Sequence, residues 1–254
     1  MNIARYTTLA LLGLTLFATP ARADAPPSPG PAPAAPPTAA PTAAPSASPT
    51  ATPTSEAPPV DGSQALFRLL TGNTRFTQGR TIHANQGAAT RAAKAKRSRP
   101  WCVVVTCSDS RVPPEIVFDQ GLGDMFVVRT WGTHLGETAI GSLEHAIADH
   151  SMNLIVVLGH SQCLAVKACI DGKQEPGAAA RIVASKAAAV AISRRYKGDL
   201  LTAACKEDAR LISQRISSYP FVSQRLKSGK FRVVPAFYDL ETGNVKVLNP
   251  QKQP

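Results

Sequence analysis

Three short runs of apolar and β-branched residues mark the middle of the chain: WCVVVT at 101–106, DMFVVRT at 124–130 and NLIVVLG at 153–159. Successive apolar positions in runs this short are the pattern of strands buried on both faces, so all three are expected at the centre of a parallel sheet. Between the second and third, ETAIGSLEHAIADH spaces Ala139, Leu143 and Ile147 four apart, which predicts the crossover helix that parallel neighbours require. Upstream, QALFRLLTGNTRF has apolar residues at 66, 69, 70 and 76 and predicts a helix broken near Gly72-Asn73. Downstream, helical stretches are expected over roughly 161–171, 179–196 and 199–217, the last capped by Asp199 and stopping before Pro220. FRVVPAFYDL and VKVL, joined by a turn at 241–244, predict a closing hairpin, with Pro235 at or near a sheet edge. The pattern is that of an α/β fold: a mainly parallel β-sheet flanked by helices, with a C-terminal edge hairpin.

Composition confines that fold to the last three quarters of the 254 residues. The N-terminus has a cationic start at Arg5, an apolar stretch from Thr8 to Ala18 and a small-x-small cleavage signal at Ala21-Arg22-Ala23. Residues 1–23 therefore read as a secretory signal peptide, and the stretch falls short of the ~20 residues a membrane span needs. The expectation is export to the periplasm or a similar space, with no stable membrane insertion once the signal is cleaved. Residues 24–60 are nearly all Pro, Ala, Ser and Thr, cannot bury enough apolar surface to fold, and read as a disordered, extended linker. The folded domain is expected over 61–254.

Before residue 61 the only charged residues are Arg5, Arg22, Asp24 and Glu56, so the whole net charge of +11 belongs to the domain. Its basic run, RAAKAKRSR at 91–99, has no interleaved aromatics, which argues against a nucleic-acid partner and for a solvated cationic face. The five cysteines, Cys102, Cys107, Cys163, Cys169 and Cys205, are an odd number and cannot all pair in an oxidising compartment.

Candidate chemistry gathers at two predicted strand tips. Cys107, Asp109 and Arg111 alternate and would point one way from an extended segment. His160 and Cys163 straddle the next step from strand to helix. In a parallel sheet both tips lie along the carboxyl edge, where α/β folds bind ligands. Two thiols, an imidazole and a carboxylate suit Zn2+ better than an oxygen-seeking cation. Taken singly, the cysteines also fit buried hydrophobes or a disulfide, Asp109 with Arg111 a structural ion pair, and His160 a helix cap.

The segments LFRLLTGNTRF, CSDSRVPPEIVFDQGLGDMFVVRT, GSLEHAI, LIVVLGHSQC and FRVVPAFYDLETGNV together resemble the β-class carbonic anhydrases over nearly all of 64–248. That resemblance implies zinc bound by Cys107, His160 and Cys163, with water in the fourth position. Hydroxide generated there would convert CO2 to bicarbonate. It makes Asp109 and Arg111 a gating pair: held by Arg111, Asp109 accepts a hydrogen bond, and released from it, Asp109 takes the fourth metal position. It also implies a homodimer or higher even oligomer, in which the N-terminal helix at 64–76 embraces the partner.

Four pocket positions depart from the family pattern. Ser98 stands where a glutamine is usual and Leu164 where Gly follows the last ligand. Trp131 stands near a small residue's place, and His145 where Tyr is frequent. Phe126 matches the apolar wall. These departures admit two alternatives to CO2 hydration: the same fold acting on a sulfur analogue of CO2, or a non-catalytic zinc protein whose fourth position Asp109 closes.

Overall fold

The computed structural model describes residues 61–148 and 152–249. The expected signal peptide and linker lie outside the described residues. The domain opens with α1 (Gly62–Thr77) and α2 (Ala88–Lys96), followed by β1 (Cys102–Cys107), the single turn α3 (Pro114–Val117) and β2 (Met125–Thr130). After a short 3-10 turn at Trp131–Thr133 come α4 (Glu137–Ala148), β3 (Leu154–His160), α5 (Leu164–Ile170), α6 (Gly177–Ala184), α7 (Ala187–Ser193), α8 (Leu200–Ser218) and α9 (Pro220–Leu226). β4 (Arg232–Tyr238) and β5 (Val245–Val247) close the chain.

The strands form one sheet in the order β2-β1-β3-β4-β5, parallel except for the final antiparallel pair. Alternation along β1 and β3 divides the core in two. Val103, Val105, Ile155 and Val157 belong to the cluster that includes residues of α4, α5, α7 and α8. Cys102, Val104, Leu154, Val156 and Leu158 belong to the other, with Ala65 and Leu69 of α1. Because Thr106 pairs with Leu158, Cys107 and His160 finish adjacent strands at the same carboxyl edge.

Several expectations change. α1 runs unbroken through Gly72-Asn73. A Cβ on Gly72 would lie 1.8 Å from the Phe118 carbonyl oxygen, so glycine is required there by close approach. Asn73 is buried and ties three segments together: its Nδ2 donates to the carbonyls of Val117 (3.0 Å) and Gly243 (2.8 Å), and its Oδ1 accepts from the Val245 amide (2.8 Å). What reads as a helix breaker is a packing contact.

β2 is an edge strand, not a central one, and Met125, Phe126 and Val127 are only half-buried. The stretch at 179–196 divides into α6 and α7, and α9 begins at Pro220, a residue suited to the first turn of a helix. α2 forms from the basic run without burying any residue. Asp199 does cap α8, accepting from the amides of Leu201 (3.2 Å) and Thr202 (3.0 Å). Pro235 sits in β4, one strand from the edge, ahead of the stretch paired with β5. Among the described residues no helix is long and apolar enough to cross a membrane.

Candidate metal centre

Cys107 is the last residue of β1 and His160 the last of β3, while Cys163 immediately precedes α5. Two thiol sulfurs and an imidazole nitrogen thereby lie within 4.8 Å of one another, all on buried residues. His160 Nδ1 is 2.8 Å from the Ser161 carbonyl oxygen. A carbonyl only accepts, so Nδ1 carries the proton and Nε2 presents its lone pair. That Nε2 is buried and has no hydrogen-bond partner. A buried acceptor left bare is costly unless something fills the place. Beside two sulfurs, the donor set suits a divalent ion that accepts thiolate and imidazole.

The sulfurs are prepared unequally. The backbone amides of Gly132 (3.2 Å) and Asp109 (3.4 Å) both donate to Cys107 Sγ. Its pKa is pushed down to about 4, first by the Cys163 thiol donating to it and further by these amides, against the opposing effect of burial. Cys163 is pushed up, because it supplies that proton and because it is buried. The other three cysteines are free and shifted upward by burial, Cys205 to about 12.

Asp109 stands outside the donor group and is held by a two-pronged guanidinium. Arg111 Nε donates to Oδ1 at 3.0 Å and Nη2 to Oδ2 at 2.7 Å, and the Arg111 amide adds a bond to Oδ1 at 2.9 Å. The Arg111 side chain, above all other causes, holds the Asp109 carboxyl at about 2. It is an ionised acceptor at any physiological pH.

Three supports were not evident from the sequence. Arg129 of β2 reaches across the strand tips to donate to the carbonyls of Cys107 (3.1 Å) and Asp109 (2.6 Å), bracing the CSDSR segment. Ser161 accepts from His160 through its carbonyl and is itself fixed: its amide donates to the Tyr238 carbonyl (3.0 Å) and its Oγ accepts from the Leu240 amide (2.9 Å). Gly132 supplies its amide from a left-handed conformation (φ +61°) that glycine tolerates best. All three act through backbone groups, which side-chain patterns do not reveal.

A family model described as carbonic anhydrase matches residues 102–245. Carbonic anhydrase of Mycolicibacterium smegmatis is 36% identical over 186 residues, covering 70% of this chain and 89% of its own. Carbonic anhydrase 2 of Mycobacterium tuberculosis is 37% identical over 183 residues, covering 69% and 87%. The chain belongs to the β-class carbonic anhydrases. The fold agrees: a tetrameric β-carbonic anhydrase of Sordaria macrospora superposes with a TM-score of 0.60 at 16% identity, covering 73% of this chain and 97% of that one. The Coccomyxa enzyme, solved with acetazolamide, gives 0.56 at 21% identity, covering 72% and 86%.

In this β-carbonic anhydrase the positions that the sequence suggests for a pocket are distributed unevenly. Phe126 and Trp131, both half-buried, pack against the core cluster that contains Cys107 and Cys163. Leu164 follows Cys163 directly as the first residue of α5 and is 59% exposed, so its side chain faces solvent and is not part of the core. His145 is exposed on α4, its ring 6.3 Å from that of Phe126. Ser98 is exposed on the segment between α2 and β1. α1 buries Ala65, Leu69, Gly72 and Asn73 against its own domain and leaves Phe67 73% exposed on its outer side.

Proposed function

We propose that this β-carbonic anhydrase reversibly hydrates CO2 to bicarbonate with zinc held by Cys107 Sγ, His160 Nε2 and Cys163 Sγ. The observation that carries the reading is the buried, unpartnered His160 Nε2 set between two sulfurs. When bound, zinc supplies a Lewis acid that brings the pKa of water to about 7, so that hydroxide is available at neutral pH.

The chain's own residues supply orientation. The Ser161 carbonyl fixes the His160 tautomer and keeps Nε2 free to coordinate. Asp109, ionised and clamped by Arg111, retains acceptor capacity on Oδ2 and takes a hydrogen bond from the reacting water, directing the water's lone pair at CO2. While the clamp holds, the carboxylate stays out of the donor set, the arrangement of an open site. The half-buried Phe126 and Trp131 offer an apolar wall that suits uncharged, linear CO2 better than its anionic product. Neither the sulfur-analogue reading nor the closed-site reading gains support from Asp109's position or from the relatives.

Stopped-flow CO2 hydration by zinc-loaded protein tests this function. Catalysis that disappears in His160→Ala supports it, and zinc-loaded protein that leaves hydration at the uncatalysed rate overturns it. We further propose, from the sequence, that residues 1–23 direct export; N-terminal sequencing of the mature protein from a periplasmic fraction should begin near Asp24. A homodimer or higher even oligomer is proposed from family resemblance and is read by light scattering.

A further inference from the structure

Among the described residues, Lys186 and Asp208 form a buried pair of charges without an evident use. Lys186, directly before α7, is 1% exposed, and its Nζ lies 2.9 and 3.2 Å from the two carboxylate oxygens of Asp208 on α8, itself 7% exposed. Desolvating two ions costs more than their attraction commonly returns, and apolar side chains of the same volume usually serve stability as well or better. Stability alone is therefore a weak reason for the pair.

Its position suggests a different one. The Lys186 stem runs against the Trp131–Thr133 turn: a Cβ on Gly132 would lie 3.2 Å from Lys186 Cε and 2.5 Å from the Ala165 methyl. Ser185, one residue earlier, places its Oγ 3.3 Å from His134 Nδ1 at the far end of the same turn. Thr130 Oγ1 closes the turn by donating to the His134 carbonyl at 2.8 Å. Within it two consecutive residues are left-handed, Gly132 at φ +61° and Thr133 at φ +56°. For threonine that conformation is unfavourable and persists only when its surroundings impose it. The turn's product is one hydrogen bond, from the Gly132 amide to Cys107 Sγ at 3.2 Å.

We propose that the buried Lys186–Asp208 pair is a positioning element of the metal centre: by pinning the Lys186 stem against Gly132, it holds the turn in the form that aims the Gly132 amide at the Cys107 sulfur. The inference rests on the zinc reading above. Lysine suits the task because its four-carbon stem packs on the turn while its ammonium is anchored at one fixed point in α8. Without the anchor, a flexible side chain in the same space would no longer define the turn. A thiolate that accepts an amide hydrogen bond is a tempered donor, so outer contacts of this kind tune both how tightly a metal is held and how strongly it acts.

The test uses full-length, zinc-loaded protein and the double variant Lys186→Met/Asp208→Leu, which removes both charges and keeps side chains of similar length and branching. Two readouts are independent of turnover: hydrogen exchange of the Gly132 amide by NMR, and zinc release to a chelator. The double variant is expected to fold and melt within a few degrees of the parent. Its Gly132 amide should exchange at least about ten-fold faster, with zinc release accelerated by a similar factor. Parent-like exchange and zinc release in the folded variant would overturn the proposal. So would a variant that fails to fold, since the pair would then serve stability after all. A parent that binds no zinc defeats the earlier functional reading, whereas a zinc-binding parent matched by its variant defeats only this one.

Discussion

Replacing Arg111 separates charge from geometry at the site. The guanidinium meets Asp109 through two parallel bonds, and Asp109 lies at about 2 where 3.8 is ordinary. At 1.36 kcal/mol per pKa unit the shift corresponds to roughly 2.5 kcal/mol. The Arg111 side chain is 51% exposed, so solvent screening reduces its share to about 1–1.5 kcal/mol. Arg111→Ala removes the guanidinium's part of that restraint, leaving only the bond from the residue 111 amide, and loosens Asp109 in its place. CO2 hydration by stopped flow should lose about five- to twelve-fold in kcat/KM, at 1.4 kcal/mol per ten-fold, with zinc content unchanged. Arg111→Lys keeps the charge but offers a point donor where the carboxylate had a fork, and a loss of about three- to ten-fold is expected. Because Asp109's folded pKa is depressed, the pair's contribution is complete above about pH 4 and is lost as pH falls through about 2. Rate changes between pH 6 and 8 therefore belong to other groups. Parent rates in both variants, with zinc intact, would refute the gating role.

Arg129→Met removes the donors that brace the Cys107 and Asp109 carbonyls; zinc release to a chelator should quicken by about ten-fold, and an unchanged rate would deny Arg129 that part. Asn73→Ala deletes three hydrogen bonds, one buried and two part-buried, and should cost about 3 kcal/mol, lowering the melting temperature by roughly 6–12 °C with zinc stoichiometry retained. In folded, zinc-free protein, ultraviolet absorbance should report about one thiolate per chain at neutral pH, disappearing as pH falls through about 4, because Cys107 is depressed while the other cysteines are raised. A count of none or two would contradict the unequal preparation of the sulfurs.

The donor group was legible because it depends on two features a sequence displays openly: apolar runs that mark strands, and ligand-type residues at their ends. Once β1 and β3 are neighbours in register, Cys107 and His160 have no choice but to meet. The same runs could not show that β2 is an edge, since apolar residues report that a strand's faces are covered and not whether another strand pairs along each of its sides. Gly72-Asn73 has the composition of a helix breaker, yet its effect is decided by Phe118, Val117 and Gly243, far along the chain. Arg129, Gly132, Ser161 and Lys186 escaped for a related reason. They act on carbonyls, amides and turn conformation, and these follow from three-dimensional approach, not from residue type.

The central claim is that two thiolates and one imidazole bind zinc, and zinc-edge X-ray absorption on protein purified without chelators tests it most directly. The account predicts one zinc per chain, with two sulfurs at about 2.3 Å and an imidazole nitrogen at about 2.0 Å. A folded protein without stoichiometric zinc, or a zinc surrounded only by oxygen and nitrogen, would contradict it.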